Sequence, residues 1–209
     1  MTKVVELRQS ASSFSITNPD TPISACANSS TTGSITATAG LAWTISPSSQ
    51  NEISVSPTSG SGDETLTFTG AVNYGAERTG TFIVSVTDAS PARTKTFTVT
   101  QEAYTPAYVG EIQVCKTHNG SGTPGTGINT CKNLVAEGHD DWHLPSQEEL
   151  LAVQKDRAKL ETVPCFTGFS NSLYISSTPA SYGYAAVHME TGGIANTKTS
   201  KNIRCVRAK

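Results

Sequence analysis

Residues 53–86 read ISVSPTSGSGDETLTFTGAVNYGAERTGTFIVSV, and apolar side chains take every second position within the short runs of this stretch. In TLTFTG the alternating apolar residues are Leu66 and Phe68, and in TFIVSV they include Phe82 and Val84. Such alternation between turns that contain Gly and Pro is typical of β-strands with one buried and one solvated face. The stretch therefore predicts a β-sheet protein.

The same pattern extends outward to cover Phe14 to Gln101. Ser and Thr, which favour strands and turns over helix, account for 36 of the first 100 residues. Seven strands of this kind predict a sandwich of immunoglobulin (Ig) type. Their apolar sets, in chain order, are Phe14 and Ile16; Ile35, Ala37 and Ala39; Trp43 and Ile45; Ile53 and Val55; Leu66 and Phe68; Phe82, Val84 and Val86; and Phe97 and Val99.

The overall composition excludes several classes of protein. The chain has 209 residues, a formal net charge of -2, 36% hydrophobic residues and 15% charged residues. This charge density is too low for a disordered tail, and no stretch approaches the roughly 18 apolar residues of a membrane-spanning helix. The basic residues are dispersed, whereas nucleic-acid binders concentrate them. We therefore expect a folded protein with no nucleic-acid partner and no membrane insertion.

The second half of the chain has a different pattern. We interpret YTPAY at residues 104–108 as a linker and the Gly-rich residues 119–127 as a flexible turn. One helix is predicted over residues 128–137, and a second begins at a capping box formed by Ser146 and Glu149. A first strand is expected in GEIQVCK, and later ones at residues 173–177, 185–189, 193–195 and 202–206. This half is predicted to be an α+β domain.

Four of the five cysteines lie in the second half, and none forms a CxxC pair: Cys26, Cys115, Cys131, Cys165 and Cys205. Zinc-ribbon and thioredoxin-type sites therefore lack their spacing. Two disulfides in the second half, with Cys26 left over, would suit a protein that works outside the cytoplasm. Buried free thiols are the alternative, and the sequence leaves both open.

The first half resembles the BACON domain over residues 12–103. The resemblance rests on the Trp of LAWTIS, the SPTSGSG turn, the step from Asn73 to Thr81 and the closing KTFTVTQEA. BACON domains are Ig-like modules of surface and secreted proteins of Bacteroidetes and of their phages. The family's name implies carbohydrate binding, although a spacer role is favoured here. Trp43 alternates in phase with Ile45 and is therefore expected in the core; the insert at residues 19–33 has no assigned role.

The second half is similar to the C-terminal domain family of collagen-like bacterial adhesins over residues 109–208. Three ordered motifs carry the similarity: DDWHLPSQEEL, YISST and NIRCVR. The family has a C-type-lectin-like fold, in which a disulfide commonly ties the first helix to the last strand; Cys131 and Cys205 match those places. His143, Ser146 and Ile175 stand where the family usually has Arg, Thr and Trp.

No residue set predicts a metal, a cofactor or an enzymatic reaction. His139 and His143 are four residues apart, but Gly138 and Pro145 favour a turn and an extended segment over the helix on which such histidines would converge. The motifs through which C-type lectins bind calcium are missing. We therefore expect no metal site and no enzyme.

The lectin-like resemblance implies a binding face in the loops above the late strands. The candidate ligand-binding residues in those loops are Tyr182, Tyr184, Asn196, Lys198 and Lys201. Tyrosine is enriched at recognition surfaces. Core packing is expected for Tyr174, and Trp142 is also assigned a structural role.

The sequence as a whole predicts a non-enzymatic recognition or adhesion protein. The first hypothesis is a bacteriophage virion surface protein, such as a fibre or a capsid decoration, because residues 1–11 lack the apolar region of a secretory signal and are a candidate anchor. The alternative is a bacterial cell-surface or fimbrial-tip adhesin whose signal was removed. The expected partners are surface glycans or proteins and virion or fimbrial structural proteins, with self-association as a further expectation.

Overall fold

A computed structural model of the chain describes residues 12–49, 51–86 and 92–209. The chain divides into two compact units, Met1–Tyr104 and Thr105–Lys209. The candidate anchor at residues 1–11 lies outside the described residues. Within the described ranges, none of the helices combines the length and the apolar character that crossing a membrane requires.

The first unit consists of two four-stranded antiparallel sheets. One has the order β1-β2-β6-β4 and the other β5-β3-β7-β8. The short strand β5, within the SPTSGSG turn, brings the described strands to eight where the sequence predicts seven. The strands are β1 (Phe14–Thr17), β2 (Ser29–Ala37), β3 (Ala42–Ser49), β4 (Ile53–Ser56), β5 (Ser59–Ser61), β6 (Glu64–Gly70), β7 (Arg78–Val86) and β8 (Arg93–Gln101).

The alternating apolar residues of both sheets meet in one core, which makes the unit a β-sandwich. Phe68 lies at its centre, with its ring centroid 5.3 Å from those of both Phe82 and Phe97. Trp43 is 1% exposed and donates from Nε1 to the Gly62 carbonyl at 3.1 Å. The predicted alternation and the core position of Trp43 are therefore confirmed.

A buried polar network links the ends of these strands. Gln101 is fully buried, accepts from Arg78 Nε at 2.8 Å, and donates to the carbonyls of Ser24 and Ala71 at 2.9 and 2.8 Å. Asn73 donates from Nδ2 to two further carbonyls at 2.8 Å. These are residues of the BACON-like motifs, so the motifs serve to satisfy buried polar groups of the fold.

The insert at residues 19–33 acquires a structural role. Ile23 is fully buried in the sandwich core and bridges to Gln101 in parallel orientation. Its backbone N–H donates to Thr100 and its carbonyl accepts from Glu102, both at 2.8 Å. The insert thus adds a short paired segment beside β8.

The second unit combines two sheets with three helices. A three-stranded sheet has the order β16-β10-β9, and a five-stranded sheet has the order β11-β15-β12-β13-β14. The elements are β9 (Tyr108–Val109), β10 (Ile112–Val114), β11 (Ser121–Gly122), α1 (Pro124–Lys132), α2 (Gln147–Lys155), α3 (Arg157–Leu160), β12 (Leu173–Pro179), β13 (Tyr184–His188), β14 (Ile194–Thr197), β15 (Lys201–Asn202) and β16 (Val206–Ala208). Ala107 is fully buried in this unit, so the predicted linker already contributes to its core.

The prediction for the first helix is wrong in position. Helix α1 begins at Pro124, with Thr123 as its N-cap, inside the segment interpreted as a flexible turn. The glycines of this segment suggested a loop, but Gly127 is needed for close packing of the helix. A Cβ there would lie 3.2 Å from Leu144 and 3.4 Å from Ile175. Gly138 forms a turn after the helix, where Ala136 pairs with His139.

Other predictions for this unit hold in part. Helix α2 has the capping box of Ser146 and Glu149. The predicted strand at residues 202–206 is wrong, since residues 203–205 separate β15 from β16. Cys131 and Cys205 form a disulfide with their Cα atoms 5.4 Å apart. Cys115 is a buried thiol and Cys26 is disulfide-bonded, so the alternative of two disulfides within the second half with Cys26 left over is wrong.

The polar network of the first unit gives a testable prediction. Gln101→Ala should lower the free energy of unfolding by about 2 to 4 kcal/mol, because it removes a buried amide that donates to the carbonyls of Ser24 and Ala71 and accepts from Arg78. Thr96→Ser, on the exposed face of the same strand, should change it by less than about 0.5 kcal/mol. Urea unfolding of the full chain measures both. Equal unfolding midpoints for the two variants would contradict the structural role of the network.

Candidate functional site

The three motifs of the second unit meet at the final segment of the chain. Arg207 donates to both carboxylate oxygens of Asp141, at 2.7 and 3.1 Å, and to Gln113 at 3.0 Å. The donated hydrogen bond from Arg207 holds the pKa of the Asp141 carboxyl below its usual value. The backbones of His143 and Val206 exchange two hydrogen bonds, at 2.7 and 3.0 Å. DDWHLP and RCVR are therefore joined by direct contacts.

The same motifs also reach the YISST segment. Ser177 donates its backbone N–H to the Pro145 carbonyl at 2.8 Å, and Thr178 Oγ1 accepts from the N–H of Gln147 at 2.8 Å. Trp142 is 3% exposed and directs its indole N–H between the carbonyls of Ala136 and His139, each at 3.2 Å. These motif residues are thus used in holding the scaffold together.

The buried side chain of Arg204 joins two segments of this scaffold by hydrogen bonds. The side chain is fully buried and donates to the carbonyls of Cys115, Lys116, Thr167 and Gly168 at 2.9 to 3.3 Å. Its guanidinium carbon lies 4.5 Å from the ring centroid of Phe169, within range of a cation–π contact. Burial lowers the pKa of the Arg204 guanidinium. This charge is enclosed by protein and is unavailable to a ligand.

The exposed candidates lie at one end of the five-stranded sheet, in the loop between β12 and β13, in β14 and in the loop after β14. Tyr182, in the loop between β12 and β13, is 61% exposed, and the ammonium of Lys198 lies 4.3 Å from its ring centroid. Asn196 donates from Nδ2 to Ser181 Oγ at 3.2 Å. The structure therefore brings together three of the five predicted ligand-binding residues: Tyr182, Asn196 and Lys198.

A glycine keeps these two loops in contact. Gly183 has φ +81°, and a Cβ there would clash with the carbonyl oxygen of Thr197 and lie 2.7 Å from Lys198 Cγ. The loop is closed by the N–H of Ala180, which donates to the Gly183 carbonyl at 3.0 Å. Because no side chain separates the loop from the end of β14, Tyr182 stands beside Lys198 on an ordered backbone.

The other two ligand-binding candidates, Tyr184 and Lys201, begin strands and make contacts outside the group of Tyr182, Asn196 and Lys198. Tyr184 begins β13, pairs with Thr197 and is only partly exposed. Lys201 begins β15, and its ammonium donates to Thr199 Oγ1 at 2.9 Å. Tyr174 is fully buried, as predicted. Sequence reasoning missed Ser181, which orients Asn196; its position between Ala180 and Tyr182 gives no signal of that contact.

A metal centre does not accompany this surface among the described residues. Across the part of the chain that the structure describes, no group of His, Cys, Asp and Glu side chains is arranged to hold a metal ion. His139 forms a turn with Ala136, and His143 Nε2 lies 3.3 Å from Glu149 Oε1. A polar cleft of about 510 Å³ lies in the first unit and is lined by Asn51, Glu52, Glu77, Arg78 and Thr79.

Comparison with known proteins supports the first resemblance. Residues 42–102 match the BACON family, described as "Putative binding domain, N-terminal". The BACON resemblance is thereby confirmed over that range, while the C-type-lectin-like resemblance of the second half stays a prediction. No curated protein sequence matches the chain.

Three solved structures are similar to part of the chain. A Bacteroides ovatus GH5 xyloglucanase in complex with a XXXG heptasaccharide is 29% identical, with a TM-score of 0.36; the match covers 46% of this chain and 20% of that one. The ASH/PapD-like domain 7 of human CEP192 is 12% identical, with a TM-score of 0.35; the match covers 49% of this chain and 96% of that one. WR4, a C. elegans MSP family member, is 15% identical, with a TM-score of 0.29; the match covers 43% of this chain and 96% of that one.

The scaffold and the exposed loops should respond differently to substitution. Trp142→Ala should lower the free energy of unfolding by about 3 to 5 kcal/mol, because it opens a cavity in the core and removes the indole N–H that donates to the carbonyls of Ala136 and His139. Tyr182→Ala should change it by less than about 0.5 kcal/mol, since the ring is mostly exposed. Denaturant unfolding of the full-length variants measures the difference. A destabilisation by Tyr182→Ala as large as that by Trp142→Ala would show that the Tyr182 loop belongs to the core.

Proposed function

We propose that this chain is a non-enzymatic recognition protein in which a C-type-lectin-like unit binds a surface ligand and an Ig-like unit acts as a spacer. The observation that carries the proposal is the exposed Tyr182 ring with Lys198 against it and Asn196 nearby. A tyrosine offers contact area at a small loss of conformational entropy, and an amide adds hydrogen bonding. We name this cluster of Ser181, Tyr182, Asn196 and Lys198 the tyrosine ridge.

The charged side chains in the sequence around the tyrosine ridge indicate which class of ligand it could bind. Between Phe169 and Lys209 the one acidic side chain of the sequence is Glu190, whereas Lys198 follows β14 and Lys201 begins β15. A polar surface with exposed ammonium groups suits the hydroxyl and acidic groups of a bacterial surface glycan or protein. The ligand class is therefore a surface glycan or a surface protein.

The first unit is better suited to spacing than to stacking on sugars. Trp43 is buried, and the outer faces of its sheets present Ser and Thr side chains, as in Thr65 and Thr67 of β6. Two clefts among its described residues, one beside Arg78 and one beside Asp63, are open and polar. The BACON match supports a binding module in general terms, and the spacer role is our proposal for this copy.

Two settings fit such a protein. A virion surface, with the chain displayed as a fibre or decoration, is the setting that we propose first. The second setting is a bacterial cell-surface adhesin. The Cys131–Cys205 disulfide suits either setting, because disulfides form and persist outside the cytoplasm. Both settings place the working protein in an oxidising extracellular environment.

Binding of the full chain to bacterial cells and to their immobilised surface polysaccharides tests the proposal. Tyr182→Ala and Lys198→Ala should each weaken binding, and loss of a buried anchor corresponds to about 2 kcal/mol, roughly thirtyfold in affinity. Tyr74→Ala is the matched control, since Tyr74 is an exposed tyrosine of the first unit. Unchanged binding in folded Tyr182→Ala and Lys198→Ala, or a loss only in Tyr74→Ala, would contradict the assignment.

A further inference from the structure

Three cysteines of the second unit share one apolar cluster. Cys115, Cys131 and Cys205 are all fully buried in it, together with Trp142, Leu144, Ile175 and Ile203. Cys131 on α1 is bonded to Cys205, and Cys115 is a thiol. A reduced cysteine thus lies in the same core as a disulfide.

The strand register places Cys115 directly opposite Cys205. Strands β10 and β16 pair in antiparallel fashion through Gln113 with Arg207 and Val114 with Val206, so the next pair in register is Cys115 with Cys205. The N–H of Cys115 donates to the carbonyl of Cys205 at 3.0 Å, which confirms the continued register. Side chains directly opposite in an antiparallel pair lie on the same face with their Cβ atoms about 4.5 to 5.5 Å apart.

The Cα separation expected for this pair falls within the range of disulfides. Cα atoms of directly opposite residues in an antiparallel pair are about 4.5 to 5.5 Å apart, and disulfides accept about 4.4 to 6.8 Å. The Cβ atoms of a disulfide are closer, at about 3.5 to 4.5 Å, so the two backbones have to approach each other at this pair before the bond can form. Cys205 is thus bonded to a cysteine on the helix and faces a second cysteine on the neighbouring strand.

We propose that Cys115 is an internal nucleophile for the Cys131–Cys205 disulfide, so that the second unit has two covalent isomers. The Cys115 thiol loses its proton, and its sulfur attacks the Cys205 sulfur. The Cys115–Cys205 bond forms as the Cys131–Cys205 bond breaks, and the electron pair leaves on Cys131, which takes up a proton. The exchange needs no oxidant or reductant, because Cys115, Cys131 and Cys205 together hold one thiol and one disulfide before and after it.

The surroundings of Cys115 keep the resting isomer in place. Burial raises the pKa of the Cys115 thiol, so little thiolate forms while the core is closed. Asn119 donates to the Cys115 sulfur at 3.5 Å and accepts from the N–H of Cys205 at 2.8 Å. Exchange therefore requires local opening of the loop that carries Asn119.

The two isomers restrain different elements. In the resting isomer α1 is tied to the final segment, whereas in the exchanged isomer that segment is tied to β10 and α1 is released. Helix α1 packs through Gly127 against Ile175 of β12. Exchange would thus loosen the support of β12 without changing the number of disulfides.

Peptide mapping of the full chain under non-reducing conditions tests the proposal. Wild-type protein is held in urea below its unfolding midpoint with no added thiol, quenched with acid, alkylated and digested. We expect a linked Cys115–Cys205 peptide that grows with time, and a shift of the alkyl label from Cys115 to Cys131 with the total label constant. Cys115→Ser is the matched control and should show neither. A label that stays on Cys115 at every time point would overturn the proposal.

Variants that lack one cysteine of the resting disulfide provide an independent test. In Cys131→Ser, air oxidation should produce the Cys115–Cys205 bond, whereas in Cys205→Ser the thiols of Cys115 and Cys131 should both remain available to alkylation after unfolding. Near-ultraviolet circular dichroism establishes that the variants are folded. Folded Cys131→Ser in which Cys115 and Cys205 both stay reduced would overturn the proposal.

Discussion

The final segment of the chain, residues 203–208, is the constraint on which the second unit depends. Its consecutive side chains go to different parts of the unit: Arg204 to the carbonyls after β10 and before β12, Cys205 to α1, and Arg207 to Asp141. The backbone of Val206 pairs with His143. Because one short segment ties these elements together, the loops beyond β12 and β14 are held on a closed framework. Recognition residues on loops need such a rigid support.

The first unit follows the same physical logic with different residues. Arg78, Gln101 and Asn73 form a hydrogen-bonded network at one end of the sandwich that satisfies the buried Gln101 and Asn73 side chains, and the insert adds Ile23 to the core. The motifs that carry both resemblances are thus mostly residues that complete the fold. Such motifs identify an architecture, whereas function depends on the side chains that the architecture leaves exposed. This is why the proposed function rests on the tyrosine ridge rather than on any motif.

The features that local physics dictates could be predicted from the sequence. Strand alternation located the sandwich core with Trp43, and the capping box located α2. Features set by long-range contacts could not be. The start of α1 could not be predicted because Gly127 suggests a loop, and its close packing against Leu144 is evident only in the folded structure. The thiol state of Cys115 and the contact between Tyr182 and Lys198 depend on register and loop closure, which a single sequence does not specify.

The central claim is that this protein binds its ligand through the tyrosine ridge. Amide NMR of the isotope-labelled full chain, titrated with surface polysaccharide from a bacterium to which the chain binds, tests it most directly. The account predicts saturable shifts concentrated at residues 180–184 and 196–201. Shifts confined to the first unit, at the Thr-rich strand β6 or at the cleft beside Arg78, would contradict it.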